Sequence, residues 1–338
     1  MTPPPAHTNS APAPERLHPP DAPTLLPADV RPELHQPHAT FTQYATDLTG
    51  AVTYRLNSAG YRGEELNPKA RLRLCLVGES HAFGVGVTRE QTFGHRLKTH
   101  IATALGWPPD AVNLVNLALA GQSGDYCVRT AYRQLPRFDA DLLIAFMPFP
   151  ERVEYCWPKL GYRSLDPASL TEENLETAPA PLLGYADFYT DRMGHLWLVK
   201  NMLALQDFCR RHQIDCLLAN QHLPAPKRQA DHLACFDNQL DDRQILGSQL
   251  FRFRPDRAAD RTHGGPRTHA AFAIALLDRY AVLTARKGDR DRADKLAVLA
   301  RKLKATDPDW AFCHAEIARM RQEKSRARAA GQPQGSDP

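Results

Sequence analysis

Two short segments, Gly78-Glu79-Ser80 and Asp260-Arg261-Thr262-His263, carry a hydroxyl, an imidazole and a carboxylate that together can do acyl-transfer chemistry. A serine hydroxyl is a weak nucleophile until a neighbouring base takes its proton, and an imidazole does so best when a carboxylate on its other ring nitrogen fixes the tautomer. Ser80, His263 and Asp260 can fill those three roles. The attacked carbonyl oxygen then develops charge and needs donors already in place. Backbone N–H groups in tight turns provide them without reorganisation. The N–H groups of Ser80 and Gly121, both just after apolar runs, are the expected sources.

These residues gain meaning from the elements that must position them. Leu72 to Val77 is an apolar, β-prone run that stops before Ser80 and a Gly-rich stretch, so the serine is expected in a turn at a strand end. Glu90 to Leu105 predicts a helix, with Phe93, Leu97 and Ile101 on one face. Val112 to Leu119 predicts a second strand, Tyr126 to Leu135 a helix, and Leu142 to Met147 a third strand cut off by Pro148 and Pro150. After an irregular stretch from 151 to 190, a helix is expected from Gly194 to His212, a strand from Ile214 to Ala219, a helix within Asp231 to Leu246, and an apolar helix from Ala270 to Tyr280. Strand and helix in alternation imply parallel pairing through right-handed crossovers, hence a three-layer α/β/α domain with function at the carboxyl ends of its strands.

The flanks read differently. Residues 1–38 hold 11 of the 28 prolines and few large apolar side chains, so a disordered leader is expected. The α/β domain is expected over 39–284, a C-terminal helical hairpin over 285–330, and a disordered tail over 331–338. The hairpin resembles one unit of a tetratricopeptide-type array; its default role is packing on the core, with protein contact as a further role.

Composition narrows the function classes. The chain has 338 residues, 43% hydrophobic and 24% charged, enough for a substantial core. Residues 285 to 338 hold 13 Lys and Arg against 8 Asp and Glu, which outweighs the whole formal charge of +4, so the basic character belongs to the tail. Mixed signs without interleaved aromatics argue against nucleic acid. No apolar run approaches the roughly 20 residues of a membrane span, and the N-terminus has neither the basic start nor the apolar core of a secretory signal, so the expected location is cytoplasmic. Seven cysteines without a CxxC pair read as reduced thiols. His222, His232 and Cys235 lack standard zinc spacing, and no metal or cofactor is expected.

Against this background, Val77-Gly78-Glu79-Ser80-His81-Ala82-Phe83-Gly84-Val85-Gly86 resembles the nucleophile segment of the SGNH (GDSL-type) hydrolase superfamily, with Glu79 where that family usually has aspartate. Asn116 to Gly121 is similar to its second segment, whose glycine donates to the oxyanion. Asp260 to His263, followed by His269, resembles its last. The lead-in Asn57 to Gly63 looks like that of a bacterial branch with polysaccharide-linked members. The resemblance, spanning roughly residues 53 to 282, implies a flavodoxin-like parallel sheet, catalytic Ser80, Asp260 and His263, and an oxyanion donor at Gly121.

One segment departs from the pattern. The family places an asparagine after the third strand, where this chain has Phe146-Met147-Pro148-Phe149-Pro150-Glu151-Arg152. Either Arg152 substitutes for that donor, or only backbone donors remain, or the chain binds ligand without turnover. His269 is open to a substrate-side role or to packing. The expected activity is hydrolysis of an ester, small or carbohydrate-borne, through an acyl-enzyme on Ser80. The alternatives are O-acyl transfer with the same triad, a carbohydrate-binding or scaffold protein, and a metal-dependent hydrolase using His263 and His269. The aromatics Tyr155, Trp157, Tyr162, Tyr185, Phe188 and Tyr189 are expected to pack, or to wall the site.

Overall fold

The computed structural model describes residues 24–29, 36–44, 51–157, 161–220, 239–247 and 249–329, with the single positions 233 and 236. An antiparallel pair, β1 (Thr40–Tyr44) and β2 (Ala51–Arg55), leads in. Then come β3 (Leu72–Gly78), the single helical turn α1 (Ser80–Phe83), α2 (Phe93–Leu105), β4 (Val112–Asn116), α3 (Gly124–Gln134) and β5 (Leu142–Phe146). A second antiparallel hairpin, β6 (Val153–Trp157) and β7 (Gly161–Leu165), precedes α4 (Ala180–Phe188) and α5 (Asp191–Arg211). The remaining elements are β8 (Asp215–Asn220), β9 (Ile245–Gly247), α6 (Gln249–Phe253), α7 (Pro266–Arg286), α8 (Arg290–Thr306) and α9 (Pro308–Ala329).

Among the described residues the main sheet has five parallel strands, in the order β4-β3-β5-β8-β9. Strands β3, β4 and β5 are buried on both faces, as a sheet covered by crossover helices requires, whereas the edge strand β9 is half-buried to exposed. Leu72, Leu74 and Leu76 of β3 join the core that includes α2 and α7; Cys75 and Val77 join the core of α3 and α5. Burying each leucine contributes about 2 kcal/mol, so the alternation within β3 fixes its register against both layers. The three-layer α/β/α architecture expected from the sequence is the one observed.

Several boundaries differ for local reasons. The helix expected from Glu90 begins at Phe93, because Thr92 caps it by accepting the His95 N–H. The second strand ends as regular structure at Asn116, although Leu117 and Leu119 still donate to Leu76 and Gly78. The helix expected within Asp231 to Leu246 falls largely outside the described residues. Its last part is instead β9, where Ile245 and Leu246 pair with Leu218 and Ala219.

The irregular stretch from 151 contains the β6–β7 hairpin and α4. Residues 24–29 of the Pro-rich leader lie along α3, where the sequence alone reads a mobile segment. Gln134 accepts from Leu26 N–H and donates to Leu26 O, Ala28 is buried, and Asp29 pairs with Arg133 at 2.9 Å. Specific hydrogen bonds, together with the packing of Ala28 and Leu25 on the core of α3 and α5, order this piece. At the other end, Leu296 and Ala300 of α8 and Cys313 and Ile317 of α9 are buried in the same core as α2 and α7, so the helical hairpin completes one face of the domain.

Candidate active site

Ser80 begins α1 directly beyond the carboxyl end of β3 and is 8% exposed. Glu79 caps that turn. Its Oε2 accepts the Ser80 N–H at 2.7 Å and the Ser80 hydroxyl in a short hydrogen bond; its Oε1 accepts the His81 N–H at 3.1 Å and faces His81 Nδ1 at 2.7 Å. A fully buried carboxylate therefore holds four donors. Burial alone would raise its pKa, but the His81 imidazole, the Ser80 hydroxyl and the Arg152 guanidinium hold it well below the usual carboxylate range.

The acid–base loop is folded by the D-x-x-H spacing itself. Asp260 Oδ1 accepts the N–H groups of Thr262 and His263, each at 3.1 Å, while Oδ2 accepts the Thr262 hydroxyl at 2.8 Å and makes a short hydrogen bond with His263 Nδ1. This is an Asx-type turn whose second oxygen orients the imidazole three residues on. Burial opposes ionisation of Asp260, but its bonds to His263 and Thr262 leave its pKa well below the ordinary value. With Nδ1–H donated to Asp260, His263 Nε2 is left as the acceptor that a general base needs.

The two loops meet through rings and backbone. The His81 and His263 rings lie edge to face with centroids 5.0 Å apart. Gly86 O accepts the Ala259 N–H at 2.9 Å, next to Asp260. A Cβ on Gly86 would stand 2.6 Å from Ala258 Cβ and 3.1 Å from Asp260 Oδ1, and its φ of 77° is one that side-chain-bearing residues rarely adopt. Gly86→Ala is therefore expected to cost about 2 kcal/mol of stability, measured by urea unfolding, by straining the backbone and displacing the Asp260 loop.

The structure distributes the expected oxyanion donors unevenly. The Ser80 N–H is already committed to Glu79, because the first turn of a helix needs an acceptor there. Gly121 follows β4 with φ 74°, exposed, and with open space where a side chain would be. Arg152 stands at the foot of β6. Its Nε donates to Asp166 at 2.7 Å, its guanidinium lies over Phe149, and its Nη1 is 3.8 Å from Glu79 Oε2 while being buried without a hydrogen-bond partner.

His269 is placed elsewhere. It is fully buried in the first turn of α7, stacked on Phe93, and its Nδ1 accepts the Phe93 N–H at 3.1 Å. Burial holds its pKa well below the ordinary histidine value, as suits a neutral acceptor. The substrate-side role thus gives way to packing between α2 and α7. Among the described residues no group of three His, Cys, Asp or Glu side chains could hold a metal ion, and His222, His232 and Cys235 lie outside those residues.

Sequence reasoning missed His81 and Arg62. His81 is buried, stacked on Phe146 and edge to face with His263, with Nε2 lacking a partner; its signal was its position two residues after a carboxylate. Of the aromatics, Tyr162 stacks under Arg129 at 3.8 Å, Tyr155 meets Trp157 edge to face, and Tyr185 packs on Phe188, Tyr189 and Trp197. Tyr155 and Phe188 remain exposed.

No family model matches the chain, and no curated protein does. Among solved structures it is similar to the esterase EstA from Pseudoalteromonas sp. (10% identity, 63% of this chain and 98% of that one, TM-score 0.40). It is also similar to an acetyl xylan esterase, AlAXEase (13%, 61% and 98%, 0.33), and to a family two carbohydrate esterase from Cellvibrio japonicus (12%, 72% and 68%, 0.33). Likenesses of this size carry no argument about activity. The chain is an α/β/α domain with a serine and a carboxylate-oriented imidazole on one rim of a parallel sheet. Among the described residues no helix is long and apolar enough to cross a membrane.

Proposed function

We propose that the chain is a serine esterase that cleaves an ester, on a small molecule or an O-acylated carbohydrate, through an acyl-enzyme on Ser80. The observation that supports this best is the juxtaposition of the Ser80 turn with the Asp260–His263 pair across the His81 ring. The mechanism requires the Ser80 hydroxyl, held on Glu79 in this structure, to turn about its Cα–Cβ bond to another staggered position that reaches His263. His263 Nε2 takes the hydroxyl proton as Oγ attacks the ester carbonyl, and Asp260 stabilises the resulting imidazolium. Gly121 N–H and Arg152 Nη1 receive the oxyanion, and His263 returns the proton to the departing alkoxide. Water then repeats the sequence on the acyl-enzyme. A sugar hydroxyl in place of that water would give transfer.

The test is a panel of short-chain aryl esters and acetylated sugars with the intact protein, beside a fluorophosphonate probe. Hydrolysis and covalent labelling of one serine are expected, with short acyl chains preferred because Phe149 and the prolines around it confine the approach. Long-chain esters turned over faster would refute that preference. A non-catalytic binding protein is the second reading, favoured by the hydroxyl being held on Glu79 rather than on His263. Folded protein that neither labels nor hydrolyses would favour it over the esterase.

A further inference from the structure

Arg62 is buried and none of the carboxylates of the described residues pairs with it. Its guanidinium instead donates to three backbone carbonyls, Phe83 O at 2.7 Å and Gly84 O at 2.6 Å through Nη1, and Val87 O at 2.7 Å through Nη2. It also lies over the rings of Tyr54 and Phe83, at 4.5 and 5.3 Å. Burial lowers its pKa to about 10, which leaves it charged at neutral pH. A buried charge to which no carboxylate of the described residues is bonded is a costly way to fill space that an apolar side chain could occupy. What only the guanidinium offers here is a rigid fork that reaches several carbonyls at once.

Those carbonyls belong to the loop that follows the nucleophile. The single turn α1 is too short to hold itself, and its last carbonyls have no helical partner. Gly84 lacks a side chain where a Cβ would stand 2.7 Å from Arg62 Nη1, so the guanidinium can lie against the main chain. The Tyr54 hydroxyl beneath Arg62 accepts the Gly86 N–H at 2.8 Å, and Gly86 O takes the Ala259 N–H. A continuous set of contacts thus runs from Arg62 through the nucleophile loop to the loop bearing Asp260 and His263.

We propose that Arg62 is a positioning residue that sets the register between the Ser80 turn and the Asp260–His263 loop. Its catalytic consequence rests on the esterase reading; its structural consequence does not. Arg62→Lys keeps the charge but not the planar fork that reaches the three carbonyls through two separate nitrogens, and Arg62→Met keeps much of the volume but has no donor.

Amide deuterium exchange of the folded variants is expected to quicken about tenfold at Gly86 and Ala259, with the central strands unchanged. The rate of ester hydrolysis at saturation should fall about 100-fold, with KM within threefold and lysine giving no rescue. Unchanged exchange at Gly86 and Ala259 in either folded variant would overturn the inference, whatever happens to activity. Faster exchange in a protein whose parent hydrolyses no ester would leave the register role standing and remove the esterase reading. If Arg62→Met does not fold, the milder Arg62→Lys carries the comparison.

Discussion

Ser80→Ala is expected to abolish fluorophosphonate labelling and to lower ester turnover on the order of 10⁵-fold while the fold persists. The hydroxyl's partner is Glu79, and that carboxylate keeps the backbone donors of residues 80 and 81 and the His81 ring after the hydroxyl is gone. Stability should therefore change little. His263→Ala removes the proton acceptor rather than the attacking atom and should cost a similar factor, and the double variant should be no worse than either alone, because the residues act as one unit. Steady-state kinetics on an aryl acetate, with thermal unfolding as the control for folding, decide the matter. Ser80→Ala retaining more than a tenth of the activity would remove the acyl-enzyme mechanism. If that remaining activity also vanished with a chelator, metal-assisted hydrolysis would take its place.

Much of the scaffold was legible because its signals are local. The alternation of Leu72, Leu74 and Leu76 with Cys75 and Val77 writes the two-sided burial of β3 into six residues, and the prolines after Met147 mark where β5 must stop. The D-x-x-H segment was legible for a related reason: three residues suffice to bring an aspartate back onto the histidine's own backbone and ring. What escaped was set by distant partners. Nothing local tells Ile245 and Leu246 that β8 offers them a free edge, so they read as the end of a helix. The leader's prolines report poor burial but not the two hydrogen bonds that Gln134 makes to Leu26, 108 residues away. His269 shows the same limit in the site: a histidine after D-x-x-H reads as chemistry until Phe93 supplies the backbone donor that fixes it in the core. His263, the proposed general base, and His269, the core histidine, differ in their partners.

Glu79→Gln should be the most destabilising conservative change at the site. The carboxylate accepts from four donors, and a glutamine amide has one oxygen and one NH₂, so either the Ser80 pair or the His81 pair would face a donor instead of an acceptor. Unsatisfied buried donors and the loss of negative charge beside Arg152 together cost about 3 kcal/mol, a Tm lower by roughly 6–12 °C for a domain of this size. The same residue sets a pH dependence. Glu79 ionises more readily folded than unfolded, so its stabilisation is complete above the ordinary carboxylate range, near about 4.3 in the unfolded chain, and is lost as pH falls through its depressed folded value. Asp260 adds a parallel contribution of the same sign. Acid unfolding of the parent should therefore be steeper than that of Glu79→Gln, and the two stability curves should converge toward low pH. Equal stability at neutral pH, or curves that stay parallel from pH 7 down to 3, would show that the four hydrogen bonds around this carboxylate do not hold the nucleophile turn.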